Sequence, residues 1–393
     1  MHKPVVLTLV DYYLPGYKAG GPIRTVAHAV EQLSDRFSFR IVTRDRDFGD
    51  PVPYPGCQGE TWQTVGKAQV LYLPPRRFNA GCLRRVIHRT EHDVLHLHSF
   101  FSPRVTIAPL TLRRLGLIPP RPVIVAPHGE FSPGAVRLKG TKKWAYVQAA
   151  KAVGLYRDVI WQASSELEEQ DIRRVFGGSV RVFVAPNLRC PVREADSVSA
   201  TPGKEPGTLK IVFFSRISRK KNLHGALRLL TGLTGRVEIH IYGPKDDPAY
   251  WSECQPLIAA LPGNVRVEDH GPLTHEQVCS MLREQHLLFL PTLGENFCFV
   301  ILESFLAGCP VLISDRTPWR RLEQRGVGWD VPLEDAEGFR RVLQRCIDMG
   351  DDEYQQMSRR AQEYGNSVAS DKSVLEKHYG LLEFAVGRAR AAA

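Results

Sequence analysis

The chain lacks any run of about 18 uninterrupted apolar residues, the length a helix needs to cross a bilayer. Its longest apolar stretch, around Val300 to Ile313, is broken by Glu303, Ser304, Gly308 and Pro310. It also lacks a C-x-x-C pair and any Cys/His cluster at zinc spacing, and its eight cysteines are scattered over 393 residues. Neither a disulfide framework nor a zinc ribbon is expected, and reduced thiols in a cytoplasmic protein are the simpler reading. No leader peptide is expected either, because Met1 to Pro4 run straight into the strand-like Val5-Val6-Leu7-Thr8-Leu9-Val10. Internal repeats and low-complexity tracts are missing, which removes solenoids and disordered tails from consideration.

What is present is ordinary globular material, 43% apolar and 24% charged, in a length that suggests two domains. The net charge is 52 − 42 = +10. The excess is uneven: from Arg76 to Arg121 the arginines are opposed only by Glu91 and Asp93. A basic face of this kind serves nucleic acid, an anionic membrane surface or a phosphorylated substrate, or is plain solvated surface. No nucleic-acid-binding module is recognisable, so no nucleic-acid partner is expected.

Short apolar runs alternate with helical spacing along the first half. Val5–Val10, Phe37–Val42, Val70–Leu73, Val94–Leu97 and Val123–Ala126 read as strands buried on both faces, and Ile23, Val26, Ala27, Val30 and Leu33 recur at helical spacing. Arg193 to Thr208 is rich in Ser, Pro, Gly, Glu and Lys and reads as a linker. A second series follows, with strands at Ile211–Phe214, Val237–Tyr242, Val265–Val267, Leu287–Leu290 and Pro310–Ser314 and helices at Leu223–Leu230, His275–Arg283 and Phe299–Ala307. The expected fold class is α/β, with two tandem doubly wound Rossmann-like domains, residues 1–192 and 209–369, joined by the linker 193–208. A last helix, about 370–393, is expected to pack back on the first domain. Such pairs place ligands at the carboxyl ends of their strands, in the cleft between the domains.

Four segments carry candidate chemistry. Glu295 and Glu303 bracket a loop and a helix start in Pro291-Thr-Leu-Gly-Glu-Asn-Phe-Cys-Phe-Val-Ile-Leu-Glu303. Eight helical residues span about 12 Å, too far for a carboxylate pair acting on one bond but suited to the two ends of an extended nucleotide sugar. The helix start between them offers amides and a positive dipole end to a diphosphate. Arg216 and Lys221 lie at the carboxyl end of the strand Ile211–Phe214, where a phosphate would rest. Gly20 and Gly21 follow the first strand and open the first helix, with Pro22 suited to its first turn. This is neither a Walker loop nor a dinucleotide fingerprint. His128-Gly129 directly follows the strand Val123–Ala126.

Together these segments resemble the retaining glycosyltransferases of family 4, which have the GT-B fold, over nearly the whole chain. The stretches Ser314-Asp-Arg-Thr-Pro-Trp-Arg320 and Gly326-Val-Gly-Trp-Asp330 look like the bacterial exopolysaccharide and capsule branch. The resemblance implies hexose transfer from a UDP- or GDP-sugar, with retention, to a sugar hydroxyl of a glycan or polyprenyl-diphosphate-linked acceptor, without a metal or other cofactor. It implies that Gly20 and Gly21 line the donor pyrophosphate and that Arg216 and Lys221 bind it. Glu295 and the backbone of Asn296, Phe297 and Cys298 hold the transferred sugar, Glu303 binds the ribose hydroxyls, and His128 contacts the sugar near its reacting carbon. The family usually has Gly where this chain has Cys298, a costly residue if that backbone needs positive φ.

Asp45-Arg46-Asp47 is a D-x-D, a metal-holding motif in the other large glycosyltransferase fold, but it lies among arginines. His96-Leu97-His98 puts two imidazoles on one strand face with no evident third ligand. Neither is read as a metal site. Arg137, Lys139, Lys142 and Lys143 could attract an anionic acceptor, or form a solvated helix start, and the basic first domain could touch the inner face of the plasma membrane. A sugar-nucleotide epimerase, a phosphorylase and an inactive sugar-nucleotide-binding homologue are the alternatives.

Overall fold

The structure, a computed structural model, describes residues 3–132, 140–189 and 202–391. They fall into two compact units, Met1–Arg189 with Lys372–Ala393, and Cys190–Asp371. Residues 193–201 of the expected linker, and Arg137 and Lys139, lie outside the described residues. The rest of that stretch belongs to the second unit. Lys204 is buried there, with its ammonium donating to the carbonyls of Glu205, Ile347 and Met349.

The first unit is built on β1 (Val5–Leu9), β2 (Ser38–Arg44), β3 (Trp62–Val65), β4 (Ala68–Leu73), β5 (Val94–His98), β6 (Val123–Ala126), β7 (Ile160–Ala163) and β8 (Arg181–Val184), in the order β3-β4-β2-β1-β5-β6-β7-β8. All neighbours are parallel except β3 and β4. Every residue of β1, β5, β6 and β7 is buried, which is why these strands are almost wholly apolar in sequence: helices cover both faces of a parallel sheet. The helix Gly21–Leu33 buries Ile23, Val26, Val30 and Leu33. The helix Ser373–Ala391 belongs to the same unit. Its Val374, Tyr379, Leu382 and Val386 join the core around Val6, Val30 and Phe39, and its His378 Nε2 lies 2.7 Å from the Pro186 carbonyl.

The second unit has six parallel strands, β9 (Thr208–Phe214), β10 (Arg236–Tyr242), β11 (Val265–Gly271), β12 (Leu287–Leu290), β13 (Val311–Ser314) and β14 (Gly328–Val331), in the order β11-β10-β9-β12-β13-β14. From β9 the chain winds outward through β10 to β11, then returns to place β12 on the other side of β9. The connections after β9 and β12 therefore leave in opposite directions and open a crevice at the carboxyl ends of these two strands. The first unit has its equivalent point between β1 and β5. No helix among the described residues is long and apolar enough to cross a membrane. The described cysteines, Cys57, Cys82, Cys254, Cys279, Cys298, Cys309 and Cys346, are all free.

Candidate functional site

The switch point of the second unit gathers most of the expected site residues. β9 ends at Phe214, and Ser215 to Asn222 turn over the end of the sheet. The turn can pass there because Gly243, at φ 136°, stands opposite: a Cβ on it would come within 1.8 Å of the Ser215 carbonyl oxygen. Residues Arg219–Lys221 make a single 3-10 turn, and Asn222, at φ 64° and ψ 41°, redirects the chain into the helix Leu223–Leu229. Asn222 tolerates this left-handed conformation better than most residues, and its Nδ2 donates to the Pro291 carbonyl at 2.7 Å.

That bond is one of several that join this turn to the loop after β12. Leu293 N donates to the Lys220 carbonyl at 2.8 Å, and Thr292 Oγ1 lies 3.0 Å from the same oxygen. The result is a direct ion pair, Lys221 Nζ to Glu295 Oε1 at 2.7 Å, with the side chains only 15% and 8% exposed. Thr292 Oγ1 gives the same carboxylate oxygen a second bond at 2.8 Å. Burial pushes the Glu295 carboxyl up, but the attraction of Lys221 and Lys220 and the bonds from Lys221 and Thr292 outweigh it, so it lies below its usual range. Burial pulls Lys221 down, but Glu295 raises it further, so both groups stay charged at neutral pH. Arg216 lies on the same turn, exposed, with Nη1 3.1 Å from Asp246 Oδ2. Three cations thus share one loop end with one buried carboxylate.

The loop from Glu295 to Cys298 is held from behind. Glu295 N donates to the Arg316 carbonyl at 2.8 Å, so its amide is committed to the fold. Trp319 Nε1 donates to the Phe297 carbonyl, and the two rings pack at 5.3 Å. The helix starts only at Phe299, so Glu295 to Cys298 lie outside it and the helical rise alone does not set the separation of Glu295 and Glu303. Phe297 itself is a core residue. Cys298 sits at φ 64° and ψ 82° as the residue before the helix Phe299–Leu306, a conformation that costs a residue with a Cβ roughly 1–2 kcal/mol. Burial first, and then the negative charge of Glu295, push its thiol up to about 12. It stays protonated at neutral pH and is no nucleophile. Glu303 lies half-buried on the helix and is close enough to act electrostatically on the same thiol.

In the first unit, Gly20 has φ 79° and ψ −136°, a region open in practice to glycine alone. A Cβ on Gly21 would meet nothing within 4 Å, so that stretch of backbone can be approached closely. Pro22 occupies the first turn of the helix Gly21–Leu33. Asp47, half of the D-x-D, caps this loop: Oδ2 accepts from Tyr17 N at 2.7 Å and Lys18 N at 3.0 Å. Asp45 pairs with Arg46. Both carboxylates are engaged, Asp47 by the loop and Asp45 by Arg46.

His128 follows β6 at φ 54°. Gly129 N donates to Glu168 Oε1, while Glu168 Oε2 accepts from Ser164 N and Oγ, which locks the turn. His128 Nε2 lies 2.9 Å from His98 Nδ1. The two rings stack, and His98 packs in turn against His96, tilted by 40° with centroids 4.2 Å apart. A third imidazole therefore does join the His96/His98 pair, one the sequence spacing did not show. Burial drives all three down, His128 to about 4, His96 to about 3 and His98 well below its usual value, and it drives His378, whose charge would act on His96 and His98, to about 4, so all are neutral at neutral pH. A neutral His128 is a hydrogen-bonding group, not a charge.

Sequence reading missed the contacts of Lys221 with Glu295 and of His98 with His128, as well as Lys220, Thr292, Asp246 and Glu168. The adjacent Lys220-Lys221 and the Thr292 two residues after β12 were the available signals.

The comparisons with known proteins bear on the family and the fold. Residues 20–187 match the family described as "Glycosyl transferase 4-like domain" and residues 196–364 the family "Glycosyl transferases group 1". No curated protein matches the chain in sequence. Similar solved structures include a sucrose-phosphate synthase from Thermosynechococcus elongatus, with TM-score 0.72 and 15% identity over 100% of both chains. HepE of Anabaena, in complex with UDP and glucose, has TM-score 0.69 and 15% identity over 97% of this chain and 99% of that one. A trehalose 6-phosphate synthase from Burkholderia multivorans has TM-score 0.66 and 13% identity over 100% and 99%. The chain carries the two domains of a GT-B glycosyltransferase, a glycosyltransferase 4-like domain in the first unit and a group 1 domain in the second.

Proposed function

We propose that the chain transfers a hexose from a UDP- or GDP-sugar to a hydroxyl of a glycan or lipid-linked acceptor, with retention at the anomeric carbon. The observation that carries this reading is the buried Lys221–Glu295 pair at the switch point between β9 and β12, with Arg216 beside it. The similar HepE structure holds UDP and glucose, which supports a UDP-sugar as the first donor to try.

The chemistry follows from charge. Breaking the anomeric C–O bond leaves negative charge on the diphosphate and positive charge on the sugar ring. Arg216 and Lys221 neutralise the first, as cationic donors to the phosphate oxygens. With Lys221 drawn to phosphate, Glu295 is released to accept from the sugar hydroxyls and to favour the cationic ring. Glu303 takes the ribose hydroxyls. The acceptor oxygen attacks from the leaving-group side and its proton passes to the departing phosphate oxygen. The protonated thiol of Cys298 supplies no covalent route, and the cationic side chains give the leaving group its stabilisation without a metal.

The resemblance to the exopolysaccharide branch supports a lipid-linked or glycan acceptor in surface polysaccharide synthesis. A peripheral membrane contact of the first unit is supported by exposed Leu115, Trp144 and Val153, each at least 60% exposed, close in sequence to Arg113, Arg114 and Lys142. The test of the transfer reading is product analysis: nucleoside diphosphate released from a UDP- or GDP-sugar only when an acceptor glycan is added. Release independent of acceptor, or an epimerised nucleotide sugar, would replace transfer with hydrolysis or epimerisation.

A further inference from the structure

Outside the donor residues, β10 and β11 bring two imidazoles and a carboxylate to one face of the second unit's sheet. His240 stands directly opposite Glu268 in the parallel register, and His270 lies two residues beyond Glu268, on the same face. β10 alternates: Val237, Ile239 and Ile241 are buried in the core, while His240 and Tyr242 face a half-open side. β11 is the edge strand, and His270 is exposed there.

The three donor atoms form a small triangle. His240 Nδ1 is 2.9 Å from His270 Nε2, and Glu268 Oε2 is 3.5 Å and 3.4 Å from these nitrogens. Both contacts to the carboxylate are long for charge-assisted hydrogen bonds, which run about 2.7–2.9 Å. They suit three ligands around one centre better. A point equidistant from the three atoms lies about 1.9 Å from each, so an ion at the usual zinc distances of about 2.0–2.1 Å would sit roughly 0.8 Å out of their plane. A regular tetrahedral site puts the ion about 0.7 Å out of the plane of three ligands, on the side of the fourth. The surroundings hold the ligands in place. Arg266 Nη2 takes the other oxygen, Glu268 Oε1, at 2.8 Å, which turns Oε2 toward the imidazoles. The Tyr242 ring stacks on His270 at 4.5 Å and 11°.

We propose that His240 Nδ1, Glu268 Oε2 and His270 Nε2 form a binding site for one divalent transition-metal ion of the zinc class, pinning the edge strand β11 to β10. Two imidazoles and one carboxylate select zinc, cobalt or nickel over magnesium and calcium, which take all-oxygen sets. The exposed side leaves the fourth position to water. The site is separate from Arg216, Lys221 and Glu295, and does not depend on the transfer reading.

The test uses the full chain, stripped with a chelator and titrated with Zn2+ by calorimetry and with Co2+ by visible absorption. Magnesium is the control. The expected result is one equivalent of zinc bound, a raised Tm, a four-coordinate cobalt spectrum and slower amide exchange in β11, with no response to magnesium. His270→Ala, at the exposed corner where folding is not at risk, and Glu268→Gln should each weaken zinc binding at least tenfold and abolish the cobalt spectrum. No stoichiometric zinc binding by the unaltered chain would overturn the proposal. So would binding and a cobalt spectrum unchanged in both variants, which would place the metal elsewhere, for instance on the free cysteines.

Discussion

Replacing Glu295 by Gln removes the counter-charge of Lys221 and keeps the shape of the side chain. At 2.7 Å and an effective dielectric constant of about 20, the attraction lost is about 6 kcal/mol before the cost of desolvating the pair is set against it. Removing one member of a buried pair costs roughly 3–5 kcal/mol in measured cases. The 15% exposure of Lys221 relieves part of that, and a loss of about 2–4 kcal/mol in unfolding free energy is expected. The same substitution leaves Lys220 and Lys221 without the carboxylate that faces them. A diphosphate then no longer competes with Glu295 for Lys221. Glu295→Gln should therefore bind UDP as tightly as the unaltered chain or up to about tenfold tighter, while sugar transfer falls by a factor of 100 or more, about 3 kcal/mol of transition-state stabilisation. Lys221→Met should lose stability too, but UDP binding falls with it. The double variant should lose clearly less stability than the sum of the singles, because each single strands a charge. Urea unfolding and calorimetric titration with UDP give both numbers. Additive stability losses, or a UDP affinity that falls equally in Glu295→Gln and Lys221→Met, would refute the reasoning.

Four further outcomes follow from the geometry. Arg216→Ala should cost about 1 kcal/mol of stability, because Arg216 is 44% exposed but the Asp246 it leaves unpaired is only 13% exposed, and weaken UDP binding roughly 10- to 100-fold through a lost charge-assisted bond; urea unfolding and calorimetry read the two. Cys298→Gly relieves the positive φ at the cost of extra freedom in the unfolded chain, so Tm should hold or rise by a few degrees, and donor-sugar preference should widen in a competition assay. His128→Ala should lower kcat at unchanged UDP affinity, and the unaltered enzyme should show no kcat inflection from His128 above about pH 5, since its folded pKa is about 4. Acidification should destabilise the first unit. His96, His128 and His378 have folded values below their unfolded ones, so their neutral burial is unpenalised above about pH 6.5 and each costs about 1.4 kcal/mol per pH unit as pH falls toward about 4. Acid unfolding followed by tryptophan fluorescence checks this.

Most of the fold was legible because parallel sheets write themselves as continuous apolar runs. β1, β5, β6 and β12 announced themselves this way. β7, β8 and β14 did not, because Gln162, Arg181 and Asp330 interrupt four-residue strands that, unlike β6 and β12, are not apolar throughout. β3 is an antiparallel edge whose residues are exposed or half-buried, so nothing apolar marks it. The helix Pro248–Ala259 was hidden by Pro256 within it. The site was legible as residue types but not as contacts. Lys221 and Glu295 are 74 residues apart, and only the adjacency of β9 and β12 makes them a pair. The strained backbone at Cys298 could be anticipated from the residue normally found there, whereas the histidine cluster needed β5 and β6 side by side. The imidazoles of His240 and His270 were invisible for the same reason: cross-strand register joins them, not spacing.

The most direct test of the donor site is the melting temperature of the unaltered chain, Arg216→Ala and Lys221→Met with UDP-, GDP- and ADP-sugars, each at a large excess. A ligand held by the folded state at 100 times its Kd stabilises it by about 2.7 kcal/mol. The expected result is a rise of several degrees with one nucleotide sugar, largely lost in both variants. A flat response of the intact, folded chain to every donor, or a rise that both variants retain, would contradict a donor site at the switch point of β9 and β12.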